Sequence, residues 1–232
     1  MTKTITVKAE IKRFDPSHDE APHYETFDVS GPDNMRVLDV IRSIYENQAG
    51  DLAYQFACRI GRCGTCGVKV NGVSVLACQE QCKAHMRIEP LEPFKVLRDL
   101  VFDRAEADGC YAELALVPRR NEPHQREVEP INPNLANDIC TLNSCLACMV
   151  CVSSCPAVRE RPFAGPAFVL KLRQLDIHPA DTSEHRLDQA IGHGMLECFG
   201  CDLCTQLCPA DLNPADAIRG FRKDLIFGSH RR

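Results

Sequence analysis

Several segments of the first hundred residues alternate apolar and polar positions with a period of two. Ile5, Val7, Ala9 and Ile11 alternate with Thr4, Thr6, Lys8 and Glu10, which predicts a half-buried strand. Tyr24-Glu25-Thr26-Phe27-Asp28-Val29 alternates too, and the polar stretch opening at Asp15-Pro16-Ser17-His18 predicts the hairpin connection. Gly31-Pro32-Asp33-Asn34 is expected to end that strand and cap a helix. There Val37, Val40, Ile41, Ile44 and Tyr45 recur at helical spacing, giving one buried face. Two short strands, Val68-Lys69-Val70 and Val73-Ser74-Val75-Leu76, flank an Asn71-Gly72 turn, and Met86-Arg87-Ile88-Glu89-Pro90 supplies a last strand. The stretch Phe94-Lys95-Val96-Leu97-Arg98-Asp99-Leu100-Val101 is expected to start the crossing to a second domain, and the proline-bearing residues 118–133 to form an irregular connector.

From about Asn134 the pattern becomes helical. Gly165-Pro166 opens one helix with proline in its first turn, and residues 183–197 predict another with Leu187, Ala190, Ile191 and Met195 inward. Asn213-Pro214 caps a third, in which Ile218, Phe221 and Leu225 share a face. The expected architecture is α+β, with a β-rich domain over residues 1–105 and an all-α domain over residues 106–232.

Cysteine changes the picture most. The chain has 15 cysteines among 232 residues, and twelve of them fall into three runs. The first is Cys58-x4-Cys63-x2-Cys66, followed after eleven residues by Cys78. The second is Cys145-x2-Cys148-x2-Cys151-x3-Cys155-Pro156, and the third repeats it as Cys198-x2-Cys201-x2-Cys204-x3-Cys208-Pro209. One plant-type and two bacterial-type ferredoxin spacings point to iron–sulfur clusters held by thiolates. A disulfide scaffold would require an oxidising compartment and a short secreted chain. A zinc ribbon pairs two Cys-x2-Cys knuckles and has no use for a third cysteine followed by Cys-Pro.

In a bacterial-type run the fourth cysteine ligates the other cluster. Cys145, Cys148 and Cys151 are therefore expected to share a [4Fe-4S] cluster with Cys208, and Cys198, Cys201 and Cys204 to share the other with Cys155. The [2Fe-2S] set is Cys58, Cys63, Cys66 and Cys78. Gly61, Gly64 and Gly67 interleave with these ligands and let backbone amides approach the sulfurs. Arg59 and Arg62 flank the first cluster, either as solvated side chains or as a docking patch for an acidic surface. Cys82, Cys110 and Cys140 stand outside the runs and read as small hydrophobes, although Cys82 lies close enough to Cys78 to compete for iron. His85 and His193 lie near cluster segments without metal spacing. No phosphate loop, nucleophile elbow or other catalytic motif is present, so no catalytic residue is assigned.

The net charge is -5 with dispersed basic residues, which argues against a nucleic-acid binder; Arg119-Arg120 and Arg231-Arg232 read as solvated faces. No apolar run approaches the ~20 residues a membrane span needs. The chain starts directly into strand-like alternation without the apolar core of a signal peptide, so a cytoplasmic chain is expected, with any membrane contact made through a partner.

The β-rich half has the element order of a plant-type ferredoxin, a β-grasp fold. That domain, followed by a two-cluster bacterial-type domain, resembles the iron–sulfur subunit of succinate dehydrogenase and fumarate reductase across nearly the whole chain. The resemblance rests on the three runs, on Val96-Leu97-Arg98-Asp99-Leu100-Val101 and on Asp211-Leu212-Asn213-Pro214. It implies electron transfer from [2Fe-2S] through [4Fe-4S] to a third cluster, between a FAD-bearing flavoprotein subunit and a quinone at a membrane anchor. It also implies a place on the inner face of the cell membrane through that anchor, with dicarboxylate chemistry on the flavoprotein.

Two departures matter. Most of the family lacks cysteine at the position of Cys201 and holds a [3Fe-4S] cluster; the complete run here favours a second [4Fe-4S] cluster, the alternative being a free Cys201 thiol beside [3Fe-4S]. After Cys155-Pro156 the familiar succinate dehydrogenases have tryptophan, whereas this chain has Ala157 and no tryptophan at all. A soluble flavoprotein complex acting on another organic acid or acyl substrate, and a free-standing carrier, are the rival roles.

Overall fold

The alternation of the N-terminal segment is realised as a hairpin. Strand β1 (Thr4–Arg13) pairs antiparallel with β2 (His23–Pro32), Thr4 opposite Pro32 and Arg13 opposite His23. The computed structural model describes residues 3–113, 116–119, 131–183 and 185–228. Val7, Ala9 and Ile11 of β1 are fully buried, with Phe27 and Val29 buried on β2.

Helix α1 (Val37–Asn47) buries Val37, Leu38, Val40, Ile41 and Ile44. Each such side chain contributes about 1.5–3 kcal/mol when taken from water. The helix starts later than the Asn34 cap the sequence suggested. Arg36 is the N-cap, and its amide donates to the Asp39 carboxylate at 2.9 Å, so the third helical residue reaches back to close the end. Tyr45 is at the rim rather than in the core, 42% exposed and edge-on to Tyr54 at 5.5 Å.

Strands β3 (Gly67–Val70), β4 (Val73–Leu76) and β5 (His85–Glu89) complete a five-stranded sheet in the order β2-β1-β5-β3-β4. β1 and β5 are parallel and the other neighbours antiparallel. A mixed sheet with one helix closing its apolar side is the expected β-grasp arrangement.

Residues 94–101 depart from expectation. They turn back as a ribbon of β6 (Val96–Arg98) and β7 (Val101–Phe102) instead of starting a crossing. The reason is Asp99, 2% exposed between the two strands. Its carboxylate accepts from Arg13 Nε at 3.0 Å, from the Phe14 amide at 3.0 Å and from the Ala53 amide at 2.8 Å. Arg13 also donates to Glu25 and Asp51, each at 2.6 Å, which explains how β1 can end on a buried arginine. Sequence periodicity carries no sign of such a long-range pair.

The chain divides into two compact units, Met1–Arg104 with Leu146–Ser154, and Ala105–Cys145 with Cys155–Arg232. The second is helical. α2 (Ala105–Glu113) buries only Ala107, so it left no amphipathic signal in the sequence. α3 (Pro133–Asn143) is capped by the Asn132 side chain, which accepts from the Asn134 amide at 2.9 Å. α4 (Val150–Ser153) lies in the segment that belongs to the first unit. Next come α5 (Pro156–Glu160), α6 (Pro166–Asp176) and α7 (Arg186–Gly192), then α8 (Leu203–Gln206) and α9 (Pro214–Phe227).

The single helix expected over residues 183–197 is broken. After α7 the chain resumes as a 3-10 turn, Met195–Glu197, with Gly194 between them at φ 79°. A Cβ at Gly194 would sit 2.0 Å from the Pro162 carbonyl oxygen, so only glycine fits. Leu187, Ala190 and Met195 are buried as expected, and Ile191 is half-buried. In α9, Ile218 and Phe221 are buried while Leu225 is 43% exposed. Arg186 is fully buried, held by Asp181 at 2.7 Å and by the Val117 carbonyl at 3.1 Å. Arg120, Arg231, Arg232 and residues 120–130 of the connector lie outside the described residues.

Candidate metal centres

The first cysteine run occupies the loop between α1 and β3. Arg59, Gly61 and Gly64 take positive φ values of 61°, 71° and 72°, which winds the loop tightly. The Arg62 and Cys63 amides donate to Cys58 Sγ at 3.2 and 3.3 Å. Cys63 is lowered to about 6 by hydrogen bonds, first from the Cys58 backbone and then from Thr65. Cys66 is pushed up to about 12 by burial, and the proximity of Cys78 and Cys63 raises it further. The structure thus brings Cys58, Cys63, Cys66 and Cys78 together, with Cys66 and Cys78 buried on the sheet side. Arg59, Ile60 and Arg62 form the exposed outer edge of the loop.

Cys155, Cys198, Cys201 and Cys204 line one cavity of about 450 Å³, including its open mouth, together with Phe199 and Leu203. Burial raises the Cys155 thiol, against the lowering effect of the Val158 and Ala157 amides, with Cys198 and Cys201 raising it further. Cys204 is pushed up to about 11, again chiefly by burial. Buried thiolates need a compensating positive charge, and iron supplies it; the donor set fits a thiolate-held group. Among the described residues no three His, Cys, Asp or Glu side chains close on a point to hold a single metal ion. The four cysteines instead line an open space, as a multi-atom group requires.

The two bacterial-type runs share backbone geometry as well as spacing. Ala147 and Gly200 precede the second cysteine of their runs at φ 48° and 73°, and Met149 and Asp202 follow it at 64° and 61°. A four-residue helix then begins in each, α4 at Val150 and α8 at Leu203. Cys201 therefore occupies the same backbone setting as Cys148, although its side chain is exposed where that of Cys148 is buried.

The remaining run cysteines are placed within their own units. Cys145 and Cys208 pack against the apolar cluster of Leu170, Leu212 and Ala217, and the Leu212 amide donates to Cys208 Sγ at 3.4 Å. Cys148 and Cys151, 8% and 9% exposed, lie in the segment of the first unit.

Of the other candidates, Cys82 is buried, and its amide donates to the Met35 carbonyl at 3.1 Å. Cys140 is exposed, Cys110 stands 3.9 Å from His193 Nδ1, and His85 is exposed on β5. Arg222 was not foreseen. It donates to the Leu196 carbonyl at 3.1 Å and the Cys198 carbonyl at 2.6 Å, fixing the start of the third run. An arginine on the polar side of α9 gives no sequence signal for this role.

No helix among the described residues is long and apolar enough to cross a membrane. Residues 8–108 match the family model for a 2Fe-2S iron-sulfur cluster binding domain, and residues 141–212 that for a 4Fe-4S dicluster domain. The chain is 34% identical to a subunit of the fumarate reductase (CoM/CoB) of Methanothermobacter marburgensis, over 93% of this chain and 44% of that protein. It spans less than half the length of this and two further methanogen relatives. With the fumarate reductase iron-sulfur subunit of Haemophilus influenzae it shares 28% identity over 94% of this chain and 92% of the relative. A chain of the Mycobacterium smegmatis Sdh1 complex in the apo form superposes with a TM-score of 0.86 at 26% identity, covering 99% of both. The chain thus carries both cluster-binding domains in order and is similar from end to end to the iron–sulfur subunits of fumarate reductase and to a chain of the Sdh1 complex.

Proposed function

We propose that this chain relays electrons between a FAD-bearing flavoprotein subunit and a quinone or other carrier, in a complex of the succinate dehydrogenase and fumarate reductase type. In this reading domain 1–105 holds [2Fe-2S] through Cys58, Cys63, Cys66 and Cys78. Cys145, Cys148, Cys151 and Cys208 hold one [4Fe-4S] cluster, and Cys155, Cys198, Cys201 and Cys204 hold a second. The observation that carries it is the cavity bordered by those last four cysteines, with Cys201 in the backbone setting of Cys148. When bound, the clusters supply one-electron carriage at potentials set by cluster type and surroundings.

The chain's residues hold and tune the sites. Amides directed at Cys58, Cys198 and Cys208 sulfurs stabilise negative charge there, which favours the reduced state. Burial of Cys66, Cys155 and Cys204 keeps water from the inner sulfurs. The dicarboxylate reaction belongs to the flavoprotein, and the chain sits in the cytoplasm on the inner face of the membrane through an anchor subunit.

A second reading has support of its own. It is a soluble flavoprotein complex acting on another organic acid or acyl substrate, and the relative named a fumarate reductase (CoM/CoB), a name without a quinone, agrees with it. The complete third run and the absence of tryptophan agree with it. Affinity purification of the tagged chain from its native cells separates the readings. A flavoprotein together with a membrane-spanning subunit is the expected result. A flavoprotein alone favours the second reading, and a chain recovered without any flavoprotein overturns both.

A further inference from the structure

The segment Leu146–Ser154 carries Cys148 and Cys151 and is part of the first unit, although the rest of that unit ends at Arg104. Its C-terminal end is fixed by Ser153, which is fully buried. Ser153 Oγ hydrogen-bonds Ser74 Oγ at 2.9 Å and accepts from the Glu92 amide at 3.2 Å. Its N-terminal end is fixed differently, by space that two glycines leave open.

A Cβ on Gly64 would lie 2.7 Å from the Leu146 carbonyl oxygen, 2.9 Å from Cys148 Cβ and 3.1 Å from Cys148 Cα. A Cβ on Gly67 would lie 2.8 Å from Leu91 Cδ1 and 3.3 Å from the Cys148 carbonyl oxygen. Most of these neighbours are backbone, which no rotamer change can move aside. Gly64 separates Cys63 from Thr65-Cys66, and Gly67 directly follows Cys66. The segment therefore meets the first cysteine loop at Leu146 and at its own Cys148, against glycines adjacent to the loop's cysteines.

We propose that Gly64 and Gly67 are positioning residues that set the separation between the first cysteine loop and Cys148, and with it the rate of electron passage between the groups the two hold. One electron leaves the first group as the second gains it, and no proton or other reactant takes part. The inference rests on the ligand assignment above. Ser153 and Ser74 serve the same end by holding the far side of the segment in place.

The test is electron paramagnetic resonance on the full chain loaded with iron and sulfide and reduced with dithionite. A paramagnetic neighbour speeds relaxation of the [2Fe-2S] signal, and microwave power saturation reads that effect. Gly64→Ala is expected to keep both signals at full intensity while the [2Fe-2S] signal saturates at several-fold lower power. Gly67→Ala, where the backbone is ordinary and only space is at issue, is expected to give a smaller shift in the same direction. If Gly64→Ala fails to load, Gly67→Ala decides. Ser74→Ala, outside both loops, is expected to weaken the coupling least. Both signals intact with wild-type saturation in Gly64→Ala and Gly67→Ala overturns the proposal while leaving the ligand assignment standing. A wild-type chain that lacks the second signal overturns the assignment and the proposal together.

Discussion

In the first unit the sheet and α1 bury Val7, Ala9, Ile11, Ile41 and Ile44, and the first cysteine loop stands on that sheet with Cys58 and Cys63 half-exposed. In the second unit the cluster of Leu170, Leu212 and Ala217 is completed by Cys145 and Cys208 themselves. The helices around the bacterial-type runs are short: four residues in α8 and five in α5. Helices of that length do not persist alone in water. One unit is thus expected to fold and then offer a site, while the other is expected to need its site filled to finish folding.

The largest test of this contrast is metal removal. Chelation of the loaded chain under reducing conditions should abolish amide-exchange protection in α6 and α9 while β1 and β5 stay protected. Simultaneous loss in both units would erase the distinction. Cys208→Ala comes next. It should destroy the centre of Cys145, Cys148 and Cys151 and leave the [2Fe-2S] spectrum intact, because Cys58, Cys63, Cys66 and Cys78 all lie within Met1–Arg104. Retention of the four-iron signal with loss of the two-iron signal would reverse the assignment.

Asp99→Asn probes the first unit by itself. It removes the buried charge facing Arg13 and should cost roughly 3 kcal/mol in the denaturant unfolding of that unit. The [2Fe-2S] spectrum should be unchanged in folded molecules. A loss below about 1 kcal/mol would mean that Glu25 and Asp51 suffice for Arg13.

Loading should also depend on pH. The Cys66 thiol, at about 12, is protonated throughout the neutral range, so binding iron must expel its proton. Reconstitution of the [2Fe-2S] centre from the metal-free chain should slow as pH falls, and a rate that rises on acidification would contradict this. The smallest effect is expected at the loop edge. Arg59→Glu with Arg62→Glu should weaken flavoprotein docking at low salt more than at high salt, since exposed charges are screened.

Local chemistry was the legible part of the sequence. The strand alternation around Ile5 to Ile11, the inward face of α1 and the three cysteine spacings follow from neighbours a few residues apart. What the pattern did not reveal is long-range. Asp99 turns residues 94–101 back because Arg13, far away in sequence, needs a buried carboxylate. Gly194 interrupts a helical stripe because the Pro162 carbonyl occupies the space a side chain would need. The membership of Leu146–Ser154 in the first unit depends on Ser74 and Glu92 meeting Ser153. Arg222 fixes Cys198 from a helix whose polar side looks ordinary in sequence.

Iron and acid-labile sulfide analysis of the anaerobically purified chain, with electron paramagnetic resonance of the oxidised sample, tests the central claim most directly. Twelve cysteine ligands, Cys201 among them, predict about ten irons in clusters of two, four and four, and no three-iron signal on oxidation. About nine irons with an oxidised three-iron signal would show that the third centre is [3Fe-4S] and that Cys201 is a free thiol.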